Sequence, residues 1–359
     1  MRISPALNSG GNIIDLDAPI LVTGATGFIG GRVVENLLGK GFRNVRCFAR
    51  NSSDPARIEK LDTDGKRPQI SIFKGNLLSR EDCIEATRDV AVIYHLAAGR
   101  GEKSFPDAFM NSVVATRNLL EGTLQHKCLK RFVNISSFSV YSNQNKPKGD
   151  VLDESCPVEE RPELRGDAYS FAKVKQDQIV AEYGNKHSIP YVLVRPGVVY
   201  GPGNNGITGR VGLGTFGLFL HLGGSNRIPL TYVDNCAEAV VLAGIKQNVN
   251  GEVFNVVDDE LPSSREFLQR YKKQVRRFKS MYVPRPVSYF LCYVWEKYSN
   301  WSQGQLPPTF NRKAWHAYWK KTNYTNEKLK RLLGWAPGVS TNQGLELFFQ
   351  SCRERKRNA

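Results

Sequence analysis

A chain of 359 residues, 41% apolar and 23% charged, has the composition of one large or two small globular domains. That mixture excludes general disorder, a collagen-like repeat and a disulfide-stapled miniprotein. The net charge of +16 is unevenly placed: residues 261–359 hold 20 Lys/Arg against 5 Asp/Glu, whereas the first 260 hold 30 against 29.

Residues 1–18 are expected as a polar, flexible leader; the first twenty residues contain Asp15 and Asp17 and no long apolar stretch, so no secretory signal is expected. A short apolar run, Ile20–Thr23, leads through glycines into a helical pattern over Phe28–Leu38. Further β-type runs follow at Val45–Phe48, Ile70–Phe73, Val90–Leu96, Arg131–Ser136, Tyr191–Arg195 and Val253–Val256, with helical stretches between most of them. Strands alternating with helices predict an α/β fold with a doubly wound parallel sheet. After about Gly201 the alternation weakens. The expected organisation is a leader (1–18), a nucleotide-binding body (19–200), a smaller substrate-binding region (201–345) that returns one strand near 253–256, and a basic tail (346–359).

The longest strongly apolar run, Val287–Trp295, is too short to span a bilayer. Seven cysteines without a Cys-x-x-Cys pair and five histidines without ligand spacing predict a reduced, cytoplasmic chain with no structural metal. The Asn-x-Ser/Thr matches at Asn51, Asn134, Asn300 and Asn323 are then chance occurrences. The basic C-terminal third is read either as a solvated basic surface or as the mark of an anionic partner, a phosphorylated substrate or a membrane surface; no nucleic-acid motif accompanies the charge, so nucleic acid is not expected.

The turn Thr23-Gly24-Ala25-Thr26-Gly27-Phe28-Ile29-Gly30 joins the first strand to the first helix. Glycines there admit backbone angles closed to other residues and let a diphosphate reach the helix N-terminus, where open N–H groups and the dipole favour anions. This placement predicts a dinucleotide. At the end of the second strand a carboxylate would hold the ribose of NAD, whereas a cation accommodates the 2′-phosphate of NADP. Cys47-Phe48-Ala49-Arg50-Asn51 offers Arg50 and no carboxylate, so NADP is expected over NAD.

Tyr169 and Lys173 stand four residues apart, on one face of a helix. A phenol alone, with a pKa of roughly 10, exchanges its proton too reluctantly at neutral pH. A nearby ammonium stabilises the phenolate and makes it a competent acid or base beside a substrate oxygen. Ser136 and Ser137 follow an apolar strand, at the sheet edge where open parallel sheets bind ligands. A serine hydroxyl there can hold the substrate oxygen against the phenol.

Together these residues resemble the extended short-chain dehydrogenase/reductase family, which includes NAD-dependent epimerase/dehydratases and 3β-hydroxysteroid dehydrogenases. The resemblance rests on Thr23–Gly30, His95-Leu96-Ala97-Ala98, Ser136-Ser137 before Val140-Tyr141, Tyr169–Lys173, Arg195-Pro196-Gly197-Val198-Val199-Tyr200-Gly201-Pro202 and Tyr232-Val233-Asp234-Asn235, in order over roughly residues 18–345. It implies a Rossmann-type sheet, with Tyr169 as acid/base, Lys173 tuning it and bonding the nicotinamide ribose, and Ser137 completing the trio. Gly24, Thr26, Gly27, Phe28, Ile29, Gly30, Leu96, Ala97, Ala98 and Pro196 would hold the cofactor. Asn76 and Leu77 would face the adenine, although Asn76 stands where the family commonly has Asp. Asn111 would assist the geometry; it precedes Ala115-Thr116, where the family has Gly-Thr.

The trio is shared by dehydrogenases and epimerases and does not separate them. Sugar-nucleotide enzymes of the family usually carry Arg-Asp-Phe/Tyr before Tyr-Val-Asp, and this chain has Ile228-Pro229-Leu230-Thr231 instead. Its ending, Tyr318-Trp319-Lys320 through Gly334-Trp335, is similar to 3β-hydroxysteroid dehydrogenase-type proteins. The expected reaction is therefore hydride transfer between the nicotinamide and a secondary alcohol or ketone of a bulky, hydrophobic substrate. A nucleotide-sugar epimerase/reductase and a non-catalytic dinucleotide-binding sensor or complex subunit are the alternatives. The aromatic stretch Pro286–Trp295 is expected mainly as a buried core helix, with a pocket wall or peripheral membrane contact as its other uses. Homodimer formation stays open.

Overall fold

The computed structural model describes residues 11–61, 69–99, 104–204, 206–303, 305–306 and 310–357. Seven strands, β1 (Ile20–Thr23), β2 (Val45–Ala49), β3 (Ile70–Lys74), β4 (Val92–His95), β5 (Arg131–Ile135), β6 (Tyr191–Pro196) and β7 (Val253–Val256), form one sheet ordered β7-β6-β5-β4-β1-β2-β3. Every pairing is parallel. All seven expected strands are present, with Val90–Leu96 trimmed to Val92–His95.

The helices used below are α1 (Phe28–Gly39), α2 (Ala115–Leu124), α3 (Ala168–His187), α4 (Val233–Ile245), α5 (Ser264–Gln274), α6 (Arg285–Trp301), α7 (Arg312–Tyr318) and α8 (Thr341–Arg357). Alternation along the strands assigns the two faces. Val22, Tyr94 and Val133 cluster with Val33, Val34 and Leu37 of α1 and with Val240 and Val241 of α4. Leu21, Ile93 and Phe132 cluster with Leu119 and Leu120 of α2 and Val180 of α3. With both faces covered, the central strands are almost continuously apolar.

The strand order reverses between β1 and β4, which opens a crevice at their carboxyl ends. Register fixes what lies there: Thr23 pairs with His95, and His95 with Asn134, so Gly24, Leu96 and Ser136 emerge along the same edge.

The ends of the chain are tied down where they are described. Ile13 N–H donates to Ile245 O at 2.8 Å and Ile14 is buried, which anchors residues 11–18 of the expected leader. Residues 346–357 of the expected tail continue α8, with Phe348, Phe349 and Cys352 buried. Residues 1–10 and 358–359 lie outside the described residues.

One expectation is overturned. The aromatic stretch is helical, within α6, yet it is not core: Val287, Phe290, Leu291, Val294, Tyr298 and Trp301 are exposed, and the buried residues of α6 are Ser288, Cys292 and Ser299. Composition cannot say which side of a helix meets the protein; here the neighbouring helix supplies partners for the small polar side. No helix among the described residues is long and apolar enough to cross a membrane.

Candidate active site

The glycine turn is built for close backbone approach. Gly24 has φ +69°, and a Cβ there would lie 2.9 Å from Ala97 N; a Cβ on Gly30 would lie 2.0 Å from the Gly24 carbonyl oxygen. Gly27 caps α1 without a side-chain hydrogen bond, and the first turn of α1 holds no acidic residue. The positive end of the helix is thus left for an anion. Thr26 and Gly27 lie at the surface of this turn, and Phe28 and Ile29 carry it into the cavity described below. A diphosphate fits this cradle.

The flanking edge is partly committed. Arg50 is exposed at the end of β2 and has no ion pair among the described residues. Asn76 spends its Oδ1 on the Leu78 N–H, 3.0 Å, and its own N–H on Asp82 Oδ2, 2.7 Å; Leu77 O accepts from Asn118 Nδ2 at 3.0 Å. Asp82, which sequence reading did not single out, therefore shapes the turn that presents Asn76. Across the crevice Leu96 N–H and Ala97 N–H both donate to Thr23, at its carbonyl and its Oγ1, 3.2 Å each.

Ser137, Tyr169 and Lys173 line one cavity of about 520 Å³, together with Phe28, Ile29, Leu96, Ala98 and Pro196. Asp167 caps α3, accepting from Tyr169 N–H at 3.1 Å and from the Ser170 hydroxyl. That cap sets Tyr169 in the first turn and Lys173 one turn on. Lys173 is buried and donates to Ile135 O at 2.6 Å, the strand end that carries the serines. The serines divide. Ser136 donates to buried Asp177 at 2.8 Å, which also takes Asn134 Nδ2 and the Arg195 guanidinium. Ser137 accepts from Ser139 N–H at 3.2 Å and keeps its hydroxyl hydrogen for the cavity.

A buried hydrogen-bond chain runs behind the trio, and its donors can be assigned by counting. Thr116 Oγ1 donates to Ser112 O, 2.6 Å, which spends its only hydrogen. It must therefore accept from Gln176 Nε2, 2.8 Å, and from His95 Nε2, 2.9 Å. His95 Nδ1 then accepts from the Thr23 hydroxyl, 2.8 Å, whose oxygen takes Ala97 N–H. At the other end, Gln176 turns Oε1 to Lys173 Nζ, 2.8 Å. Burial, with the Lys173 charge nearby, holds His95 down at about 3, so it stays neutral as this count requires. The chain ties the glycine turn to the lysine. Gln176→Leu is expected to lower kcat by roughly 10–100-fold with a smaller change in KM. With Tyr169 as the acid/base, the acid limb of the variant's pH–rate profile should move to higher pH, because Lys173 loses one of the two acceptors that fix it. An unchanged profile would show that Gln176 only packs.

The remainder of the cavity wall is largely apolar: Phe138, Val198, Ile207, Leu230, Phe267 and Phe348. Ser139, Asn204 and Thr208 add polar groups to it, and so do Arg210 and Tyr318, neither of the last two foreseen from sequence. Arg210 donates to Ala317 O at 3.0 Å and to Tyr324 OH at 3.4 Å, with no carboxylate partner among the described residues. Tyr318 donates to Asp167 Oδ2 at 3.3 Å, and burial pushes its phenol up to about 12. Asn111 falls in a π-helical turn, Phe109–Val114, immediately before α2.

The sheet, the glycine cradle and the trio at one crevice define a dinucleotide-binding α/β protein. Residues 20–256 match the model of the NAD dependent epimerase/dehydratase family, and the chain belongs to that family, within the extended short-chain dehydrogenases/reductases. It is 26% identical over 249 residues to an Arabidopsis thaliana trifunctional UDP-glucose 4,6-dehydratase/3,5-epimerase/reductase, covering 66% of this chain and 36% of that protein. The chain thus spans about a third of that relative's length. It is 23% identical over 336 residues to the Dictyostelium discoideum decarboxylating sterol-4-alpha-carboxylate 3-dehydrogenase, covering 91% of this chain and 98% of that one. Among solved structures, the Bacillus cereus UDP-glucuronic acid 4-epimerase in complex with NAD superposes with a TM-score of 0.70 at 22% identity, over 95% and 98% of the two chains.

Proposed function

We propose that this chain is an NAD(P)-dependent oxidoreductase that interconverts a secondary alcohol and a ketone on a bulky, hydrophobic, 3β-hydroxysteroid-like substrate. One observation carries the reading: Ser137, Tyr169 and Lys173 share a cavity whose lining also includes the apolar side chains of Phe138, Val198, Ile207, Leu230, Phe267 and Phe348. The similarity to sterol dehydrogenases along nearly the whole of both chains supports it. When bound, the nicotinamide supplies the hydride acceptor or donor. In the oxidative direction the Ser137 hydroxyl donates to the substrate oxygen and fixes it, and the Tyr169 phenolate takes the proton from that oxygen. Lys173, fastened by Ile135 O and Gln176, holds positive charge beside the phenolate. Reduction runs the same proton back.

A nucleotide-sugar epimerase or reductase is the second reading, favoured by Arg210, whose guanidinium suits a phosphate or carboxylate. A panel of sterol-like alcohols and nucleotide sugars, followed by nicotinamide absorbance and by product stereochemistry, separates the two. Stereochemical inversion without net cofactor change would establish the second reading.

Arg50 at the end of β2 supports NADP over NAD. Arg50→Ser is expected to raise KM for NADPH roughly 10-fold and leave KM for NADH nearly unchanged. A wild-type preference for NADH, measured by steady-state kinetics, would reject the assignment of Arg50. A substrate of this class partitions into lipid, and we assign the basic aromatic C-terminal region a peripheral membrane contact.

A further inference from the structure

Helix α6 turns an apolar stripe outward. Val287, Phe290, Leu291, Val294, Tyr298 and Trp301 fall within an arc of about 100° at helical spacing, and they are 45–77% exposed. The opposite face buries Ser288, Cys292 and Ser299 and half-buries Tyr289 against Trp315 and Trp295 against Phe310, and its contacts fix the helix in this rotation. Ser288 Oγ accepts from Trp315 Nε1 at 2.9 Å, and Ser299 Oγ donates to Leu306 O at 2.8 Å. Glu296 takes the Arg312 guanidinium through two bonds of 3.0 Å. Rolling α6 to hide its apolar stripe would break all of these. Contiguous apolar surface of this kind marks a docking site rather than a scattering of exposed residues.

The charge of the segment that leads into the stripe selects its occupant. Residues 267–295 contain seven Lys/Arg and no Asp/Glu. The carboxylate that α6 does carry, Glu296, is turned inward to Arg312. A second copy of this chain would bring the same cations to the same contact, and like charges would oppose each other. The strand that enters α6, Ser280–Tyr282, belongs to a small sheet whose hairpin tip, Phe216, is fully exposed at φ +44°; this is a second apolar point in the same region.

We propose that the outward face of α6 docks on a bilayer containing anionic lipid, its aromatic stripe entering the interface and its flanking Lys/Arg facing the headgroups. This deepens the peripheral contact proposed above, but it rests on the helix and not on the reaction, so turnover does not enter its test. The full chain is sedimented with vesicles of phosphatidylcholine, or of phosphatidylcholine with about 30 mol % phosphatidylserine, at about 0.1 and about 0.5 M NaCl. Binding is expected to the anionic vesicles and to weaken with salt. The surface variant F290S/L291S/W301S should bind about tenfold or more weakly, while its oligomeric state by light scattering stays that of the wild type. K273Q/R277Q/K279Q should bind less and lose most of the salt dependence. No binding to anionic vesicles, or binding unaltered in F290S/L291S/W301S, overturns the proposal. A wild-type dimer that dissociates in that variant also overturns it, because a second copy then covers the face.

Discussion

Tyr169→Phe is expected to lower turnover of any alcohol or ketone substrate by roughly 10²–10⁴-fold, the range a positioned acid/base contributes. The change removes one oxygen and leaves the ring that lines the cavity. Its backbone N–H still donates to Asp167, so the start of α3 and the position of Lys173 are retained. Dinucleotide binding, followed by fluorescence of the reduced cofactor, should therefore change by no more than a few fold. Loss of turnover with retained binding separates a chemical role from a folding one. Ser137→Ala should cost less, because it removes a donor to the substrate oxygen and leaves the proton acceptor in place. If Tyr169→Phe retains full turnover on a confirmed substrate, the proton moves through another group, and the trio is not the catalytic centre.

The parts of this site that were legible in the sequence are those that one element specifies alone. The central strands announce themselves as apolar runs because both faces of the sheet are covered there, the edge strand β3 keeps an apolar run without a buried residue, and the glycine turn is recognisable because it must directly follow β1. Helical spacing put Tyr169 and Lys173 on one face, and the glycine turn, the serines and the family resemblance singled them out. Side-chain direction was harder. Ser136 and Ser137 are neighbours on one strand end, and only the structure shows that Asp177 claims the first and leaves the second to the cavity. The chain behind Lys173 joins β1, β4, α2 and α3 through Thr23, His95, Thr116 and Gln176. Thr23, His95 and Thr116 each fall in a recognisable motif and Gln176 in none, but nothing local shows that the four bond to one another. Arg210 and Tyr318 reach the cavity from segments more than 100 residues apart. Helix α6 misled for the opposite reason: its apolar content was plain, but whether that content faced in or out depended on Trp315 and Arg312 of another helix.

Gly30→Ala is expected to weaken dinucleotide binding by about 100-fold or more, because the added methyl cannot be accommodated without displacing the turn that would hold the diphosphate. Its Cβ would lie 2.0 Å from the Gly24 carbonyl oxygen and 2.9 Å from the Ala25 Cα, both backbone atoms. Either α1 moves away from β1 or the turn opens, and each response removes N–H groups from the anion position. The global cost should be smaller, about 1–3 kcal/mol as for an overpacked core position, so the variant should still fold and a melting curve should show it. Gly39 supplies the control on the same helix. A Cβ there meets nothing within 4 Å, and Gly39→Ala should bind the dinucleotide like the wild type with equal or slightly higher stability. Titration calorimetry of both variants with NADPH and NADH reads the difference directly. Equal binding by Gly30→Ala and the wild type would mean that the dinucleotide lies elsewhere than on this turn, and Arg50, Asn76 and the crevice between β1 and β4 would lose their assigned ligand with it.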